Sequence, residues 1–183
     1  MKVSFFTIGH STRSFAELFE LLRGAEVRLL ADIRTVPRSR TNPQFNKETL
    51  PATLAVSDIS YQHMATLGGL RPKSRIVAPD VNAFWTNDSF HNFADYALSE
   101  EFHSGLGPLL EEGSRERCAI MCSEAVWWRC HRRIVTDYLL ARQEEVFHIM
   151  GHGRLEAAHL TPGAVIRPDG TVVYPAATAR FNP

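Results

Sequence analysis

The hydrophobic pattern near the start of the chain predicts a strand, a helix and a second strand in close succession. Residues 3–8 and 27–33 are short apolar runs rich in β-forming residues. Between them, apolar residues recur every three or four positions over residues 15–22, and Ser14 with Glu17 has the spacing of a capping box at the helix start. A strand, helix and strand within about thirty residues indicate a βαβ unit, and therefore a parallel sheet with a right-handed crossover.

The rest of the chain continues this alternation. Further strands are predicted at 59–63, 117–121 and 145–149, and helices at 47–56, 90–98, 101–110 and 127–142. Pro168-Asp169-Gly170 lies between two apolar runs and is typical of a hairpin. We therefore expect one α/β domain over residues 1–183, with a loose tail from Pro175. Its mainly parallel central sheet of about five strands would be flanked by helices in a Rossmann-like three-layer fold, with a C-terminal β-hairpin.

Composition narrows the class of protein. The chain has 183 residues, and no apolar stretch approaches the ~18 residues that a membrane span needs. The N-terminus runs straight into a predicted strand and lacks a signal-peptide cleavage site. Three cysteines are an odd count without a paired framework, which favours a reducing compartment. We expect a cytoplasmic protein that does not bind membranes.

The charges are unevenly distributed although the net charge is zero. Residues 34–75 contain seven basic and two acidic side chains, whereas residues 76–114 contain seven acidic side chains and no Lys or Arg. This division predicts one face that binds anions and one solvated acidic face. Arginine suits bidentate contacts to phosphate or carboxylate, although a solvated basic face or the codon usage of a GC-rich genome is an alternative explanation.

Polar residues follow the predicted strands where each strand ends. In a parallel α/β sheet, ligands bind beyond these carboxyl ends. The residues concerned are Gly9, His10 and Ser11, then Asp32 and Arg34, Tyr61 and His63, Cys122 and Glu124, and finally His148 and His152. We expect them to converge on one rim.

The segment 121–133 is the densest in reactive groups. Cys122 is predicted where a strand meets a helix N-terminus, and the helix dipole with nearby arginines would favour its thiolate. The alternative is a small buried cysteine. Cys130 falls on the same helical stripe as Ile134 and therefore favours the core, whereas His131 points elsewhere and can serve as a base or an anion ligand.

Other arrangements of these residues stay open. Asp32 and Glu124 could divide acid and base roles, or each could pair with an arginine. Cys122, Cys130 and His131 could bind zinc or iron, although their spacing matches no closed zinc pattern. A Cys122–Cys130 redox pair lacks the Cys-x-x-Cys spacing. No Walker loop, dinucleotide fingerprint or nucleophile elbow is present, so the sequence indicates no particular cofactor.

Several motifs along the whole chain resemble the family called domain of unknown function 488. They are Thr7-Ile8-Gly9-His10-Ser11, the run from Asp32 to Ser39, Asn42-Pro43-Gln44-Phe45-Asn46, Tyr61, Leu67-Gly68-Gly69-Leu70-Arg71, Tyr96, Met121-Cys122-x-Glu124, Trp128-Arg129-Cys130-His131-Arg132, His148-Ile149 and Leu160-Thr161-Pro162. Trp127 and Ser123 depart from the family pattern, which usually has Pro and often Ala there. The resemblance implies a compact cytoplasmic α/β domain and brings no settled reaction or catalytic residues.

The leading hypothesis is an enzyme with hydrolase- or transferase-type chemistry on an anionic small molecule or nucleotide. Its predicted catalytic residues are His10, Asp32, Cys122, Glu124 and His131, with no metal. Its predicted substrate-binding residues are Ser11, Arg34, Arg38, Tyr61, Arg71, Trp128 and Arg132. One alternative is a nucleic-acid-binding module using residues 34–75, and another is a metal or thiol-redox protein using Cys122, Cys130 and His131. The oligomeric state stays open.

Overall fold

A single mixed sheet organises the protein, and the computed structural model describes residues 4–176 of it. Its strands are β1 (Phe5–Gly9), β2 (Leu29–Asp32), β3 (Ser60–His63), β4 (Cys118–Cys122), β5 (Val146–Gly151) and β6 (Arg154–Ala157). They lie in the order β3-β2-β4-β1-β5-β6. The first five strands are parallel, and β6 pairs antiparallel with β5. The predicted mainly parallel α/β sheet is confirmed.

Strand β6 is an addition to the predicted set of about five strands. Its residues are mostly exposed, so they lack the apolar run by which a buried strand is recognised. The strand forms because a tight turn through Gly153, with φ of +65°, folds the chain back against the edge of β5. Pairing with a neighbour, rather than burial, creates this strand.

Helices cover both faces of the sheet. They are α1 (Phe15–Gly24), α2 (Leu50–Ala55), α3 (Asp88–Tyr96), α4 (Glu100–Arg115) and α5 (Arg132–Ala141). Helices α1 and α2 contribute to one apolar cluster, and α3, α4 and α5 contribute to the other. Along β4 the side chains alternate between these clusters, so Cys118, Ile120 and Cys122 share the face of α5. This alternation directs the Cys122 side chain toward the segment that contains Cys130.

Two local predictions are confirmed. The Ser14 hydroxyl accepts a hydrogen bond from the Glu17 backbone N–H at 3.2 Å, and the Glu17 carboxylate accepts one from the Ser14 N–H at 2.6 Å, which completes the capping box. The C-terminal hairpin is formed by β7 (Val165–Ile166) and β8 (Val172–Val173). Of the tail expected from Pro175, residues 177–183 lie outside the described residues.

The helix predicted over residues 127–142 begins later than its pattern indicates. Trp127–Arg129 forms a single 3₁₀ turn, and α5 starts only at Arg132. The Trp127 ring stacks on His148 with centroids 4.4 Å apart, and the Arg132 guanidinium binds the carbonyls of Glu124 and Ala125. These contacts hold the loop between β4 and α5 against the end of the sheet, so Cys122 does not directly precede a helix.

Within residues 4–176, every helix is too short or too polar to cross a lipid bilayer.

Candidate functional site

A cavity of about 630 Å³ lies beyond the carboxyl ends of β1, β2 and β4. Seven of the residues predicted for the site line it: His10, Ser11, Arg34, Arg38, Cys122, Glu124 and His131. The ends of β1, β2 and β4 contribute residues as the strand-end argument predicts, whereas the residues predicted at the other two strand ends, Tyr61, His63, His148 and His152, do not line the cavity. Asp32, Tyr61, Arg71, Trp128 and Arg132 do not line it.

Close backbone packing joins the chain after β1 to the loop after β4. The His10 and Ser11 N–H groups donate to the carbonyls of Cys122 and Ser123, each at 3.0 Å. A Cβ atom added at Gly9 would collide with the Glu124 backbone, so only glycine allows this approach. The contact brings the polar residues after the two strands to the same side of the cavity.

Asp32 lies beneath the cavity and supports Arg34. The carboxylate is 0% exposed and accepts hydrogen bonds from the Arg34 backbone N–H at 3.1 Å, from Nε at 2.8 Å and from Nη2 at 2.6 Å. It also accepts one from the Tyr61 hydroxyl at 2.7 Å. These donors occupy the carboxylate, and neither Asp32, predicted as a catalytic group, nor Tyr61, predicted as a substrate contact, lines the cavity. The alternative pairing of Asp32 with Arg34 is what the structure shows.

Arg34 also fixes the protonation of His10. Its Nη1 lies 3.1 Å from His10 Nε2, and because a guanidinium only donates, Nε2 accepts. The proton is then on Nδ1, which donates to the Ser11 carbonyl at 2.8 Å. Burial, assisted by the Arg34 charge, lowers the pKa of His10 from 6.5 to about 4. His10 is therefore neutral at pH 7, and the lone pair on its Nε2 accepts the hydrogen bond from Arg34.

His131 is held between a carbonyl and a glycine. Its Nε2 donates to the Ile33 carbonyl at 3.1 Å, which leaves the lone pair on Nδ1. A Cβ atom at Gly69 would lie 2.5 Å from that Nδ1, so the loop reaches the ring only as glycine. Burial lowers the pKa of His131 to about 4, so this imidazole is also neutral at pH 7.

The two cysteines of segment 121–133 face each other at the cavity. The Sγ atoms of Cys122 and Cys130 are in direct contact as a disulfide pair, with Cα atoms 7.6 Å apart, and both residues line the cavity. His131 Nδ1 lies 3.6 Å from Cys130 Sγ. Cys130 is also a member of the apolar core, as expected, although it lies before the start of α5 and not on a helical stripe. The third cysteine, Cys118, is fully buried on β4.

Arg132 lies behind the cavity wall and binds its atoms from within. It is 2% exposed, and Nη1 lies 2.6 Å from both Cys122 Sγ and the Glu124 carbonyl, while Nη2 donates to the Ala125 carbonyl at 3.1 Å. Its side-chain partners in the described part of the chain include no carboxylate. Burial lowers the pKa of Arg132 to about 10, partly offset by the Glu124 charge. Arg132, predicted to bind substrate, therefore contacts Cys122 and does not line the cavity.

Two further predicted binding residues support other parts of the structure. Arg71 donates to the carbonyls of Ala65 and Gly68 and lies 3.7 Å above the Tyr96 ring, so it fixes the glycine loop that reaches His131. Trp128 is 45% exposed and meets the edge of Trp127 outside the cavity lining. Neither residue lines the cavity.

Arg129 and Phe90 line the cavity but were absent from the predicted set. Arg129 is exposed, and no hydrogen bond or ion pair engages its side chain in residues 4–176. The sequence did not indicate Arg129, because the predicted helix from residue 127 would direct its side chain differently from the turn in which it lies. Phe90 stacks on Trp85 with centroids 4.8 Å apart, and no local pattern indicated that it would reach the strand ends.

The charged side chains of the cavity lining are mainly basic. The lining includes the guanidiniums of Arg34, Arg38 and Arg129 and one carboxylate, that of Glu124. The Arg38 guanidinium is shared with Glu48 at the rim, whereas the exposed Glu124 side chain accepts no hydrogen bond in the described residues. Within residues 4–176, no three His, Cys, Asp or Glu side chains converge as metal ligands.

Comparison with known proteins identifies a family. No curated protein and no solved structure matches the chain significantly. The family model for the "Domain of unknown function DUF488" matches residues 14–139, which extend from α1 into α5 and include most of the cavity lining. Since this match covers more than half of the chain, the protein belongs to the DUF488 family of domains of unknown function.

Proposed function

We propose that the protein is an enzyme that acts on an anionic small molecule of nucleotide size in the cavity at the strand ends. The observation that carries the proposal is a cavity of about 630 Å³ lined by three guanidiniums and one carboxylate. Small-molecule sites commonly have volumes of roughly 300–1,000 Å³. A cytoplasmic location, favoured by the odd cysteine count, is part of the proposal.

Arg34 and Arg129 would bind the anion in different ways. The contacts of Arg34 with Asp32, His10 and the Phe45 carbonyl fix its guanidinium and leave one Nη1 N–H available. Such a preorganised donor needs no reorientation when a ligand arrives. Arg129 is exposed, so its side chain can move to form a second, bidentate contact.

Glu124 is the best candidate for proton transfer. It contributes the carboxylate of the cavity lining, and its exposed side chain is not engaged by a hydrogen bond within residues 4–176. In a hydrolase or transferase, it would accept the proton of an attacking water or hydroxyl while Arg34 and Arg129 stabilise negative charge on the substrate. His10 would orient Arg34 rather than transfer a proton.

A binding and turnover screen of nucleotides, phosphorylated metabolites and carboxylates tests the proposal. We expect Arg129→Ala to weaken binding of the best ligand about 10- to 100-fold, the effect of losing a charge-assisted hydrogen bond. Glu124→Gln should keep the affinity and lower turnover about 10²- to 10⁴-fold. Arg28→Ala is the matched control, because Arg28 is exposed just before β2, at the amino ends of the strands and away from the cavity. Wild-type binding and turnover in both cavity variants would show that the site lies elsewhere.

The basic segment 34–75 supports nucleic-acid binding as a second candidate. Arg40, Lys47, Lys73 and Arg75 are exposed and form no ion pair in the described residues. Phosphate contacts release counterions, so the affinity for an oligonucleotide would fall steeply with salt. Affinity that is independent of salt would remove this candidate.

A further inference from the structure

Two facing cysteines in the cavity wall have different surroundings. Cys122 Sγ lies 2.6 Å from Arg132 Nη1, whereas Cys130 Sγ lies 3.6 Å from the neutral ring of His131 and 3.5 Å from the Arg132 backbone N–H. A cation beside a sulfur stabilises a thiolate, and a neutral imidazole accepts the hydrogen of a thiol. Of the two sulfurs, Cys122 is therefore the one suited to carry negative charge.

The position of Arg132 supports the same division. A buried charge without an opposite charge costs several kcal/mol. The hydrogen-bonded partners of the Arg132 side chain in the described residues are Cys122 Sγ and two carbonyls, and its Nε has no partner. A Cys122 thiolate would supply a negative charge at contact distance, whereas the Glu124 carboxylate, whose charge also acts on Arg132, is exposed and not hydrogen-bonded to it. Because a disulfide removes that charge, Arg132 favours the reduced pair, which makes the bond easy to reduce.

We propose that Cys122 and Cys130 are a redox-active dithiol in the cavity wall, with Cys122 attacking and Cys130 resolving, and that its substrate is a small disulfide bearing carboxylates. The choice of an anionic substrate rests on the proposed function, because Arg38 and Arg129 line the same cavity as both sulfurs. The dithiol itself rests on the contacts of Arg132 and His131 with the two sulfurs.

The exchange proceeds in two steps. The Cys122 thiolate attacks one sulfur of the small disulfide; a mixed disulfide forms, the small S–S bond breaks, and the first half leaves as a thiolate that takes a proton from water. Cys130 then loses its proton and attacks Cys122 Sγ, and the second half leaves as a thiolate that takes up that proton. Two electrons pass from the protein to the small disulfide, which becomes two thiols. Excess small thiol reverses both steps.

Formation of the disulfide also affects the cavity. The Cα atoms of the two cysteines are 7.6 Å apart, and their Sγ atoms are in direct contact. The loop from Ser123 to Arg129 joins the two cysteines and contributes Glu124 and Arg129 to the cavity lining. The redox state of the two sulfurs is therefore linked through this loop to the residues proposed to bind and process the anion.

The test mixes freshly reduced protein with oxidised glutathione, quenches with an alkylating agent and maps each cysteine by mass spectrometry. Wild type should form the Cys122–Cys130 disulfide, and Cys130→Ser should accumulate glutathione on Cys122. Cys122→Ser should react at least about tenfold more slowly. Cys118 is an internal control, because burial raises the pKa of its thiol and keeps it from solvent.

Two comparisons separate the parts of the proposal. Arg132→Met should slow the attack about tenfold, while Arg133→Met should not, because the Arg133 Nε donates to the Thr161 hydroxyl instead. Cystamine, a cationic disulfide, should react more slowly than glutathione disulfide, and Arg129→Ala should reduce this preference. Equal rates for the two disulfides would overturn the choice of an anionic substrate and would count against the proposed function. The redox role of the two cysteines would be unaffected by that result. Native Cys122 and Cys130 that react no faster than Cys118 would overturn the dithiol.

Discussion

Two sides of the cavity use arginine in opposite ways. On the β2 side, defined by Asp32, Arg34, Tyr61 and His10, the buried guanidinium meets a buried carboxylate, and every group has partners. On the β4 side, defined by Cys122, Glu124, Arg129 and Arg132, the buried guanidinium meets a sulfur and carbonyls, and the carboxylate is exposed. We call the β2 side closed, because its buried charges are paired, and the β4 side open, because the Glu124 carboxylate and the Arg129 guanidinium are exposed.

This difference indicates that the β2 side mainly maintains the structure, whereas the β4 side provides groups that can bind and react with a substrate. In the network of Asp32 and Arg34 nearly every donor and acceptor already has a partner, so few are left for a substrate. The same contacts hold the remaining Arg34 Nη1 N–H in a fixed position. Unpaired groups such as Glu124 and Arg129 gain partners when a ligand binds. Substitutions on the β2 side should therefore change mainly stability, and those on the β4 side mainly binding and reactivity.

The largest expected effect comes from breaking the β2 network. Asp32→Ala would leave the Arg34 charge buried without its carboxylate, and we expect the free energy of unfolding to fall by about 3–5 kcal/mol. Urea unfolding measures this value. The matched variant on the β4 side, Glu124→Ala, should change it by no more than about 0.5 kcal/mol because the side chain is exposed.

A double variant sharpens the same comparison. Replacing Asp32 by Leu and Arg34 by Met removes both charges, so it should be more stable than Asp32→Ala alone. Equal losses in Asp32→Ala and Glu124→Ala would contradict the division between a closed side and an open side.

A smaller effect should appear when the pH is lowered. Burial lowers the pKa of His10, His131 and His148 to about 4, below the unfolded value of about 6.5. Between these values the unfolded chain binds protons that the folded chain does not, so the stability present above pH 6.5 falls as the pH drops toward 4. Each histidine should contribute roughly 2 kcal/mol to this loss, allowing for some solvent screening.

Unfolding of wild type and His10→Gln at pH 7 and pH 4.5 measures one such contribution. The variant should lose less stability on acidification than wild type, because it removes one group that must remain neutral when folded. His159→Gln is the control, since His159 is exposed. An unchanged pH dependence in His10→Gln would show that His10 can be protonated without disturbing Arg34.

The sequence predicted the sheet and the location of the cavity better than the contacts within it. Alternating buried segments and the capping box are local patterns, and the ends of parallel strands must meet at one edge. The partner of each polar group depends on register and loop packing instead. Asp32 was expected in catalysis, but Arg34, just after β2, and Tyr61, on β3, donate hydrogen bonds to its oxygens.

The loop after β4 shows why the remaining features could not be predicted. The sequence has helical periodicity from residue 127. Two contacts outweigh helix propensity there: Trp127 stacks on His148, and Arg132 donates to the carbonyls of Glu124 and Ala125. Both contacts join residues that lie on different elements. The direct contact between Cys122 and Cys130, and the exposure of Arg129 to the cavity, follow from that tertiary arrangement.

The smallest expected effect concerns the glycine that packs against His131. Gly69→Ala would place a Cβ atom 2.5 Å from His131 Nδ1, so the ring or the loop must shift at a cost of about 1–2 kcal/mol. Gly24→Ala is the control, because a Cβ atom at Gly24 meets nothing within 4 Å. Urea unfolding gives the cost, and the NMR signals of the His131 ring report its displacement. Since His131 faces Cys130, displacement should also slow resolution of the mixed disulfide on Cys122. A stability loss with unchanged ring signals would place the strain in the loop, and His131 would then be more firmly fixed than the open β4 side implies.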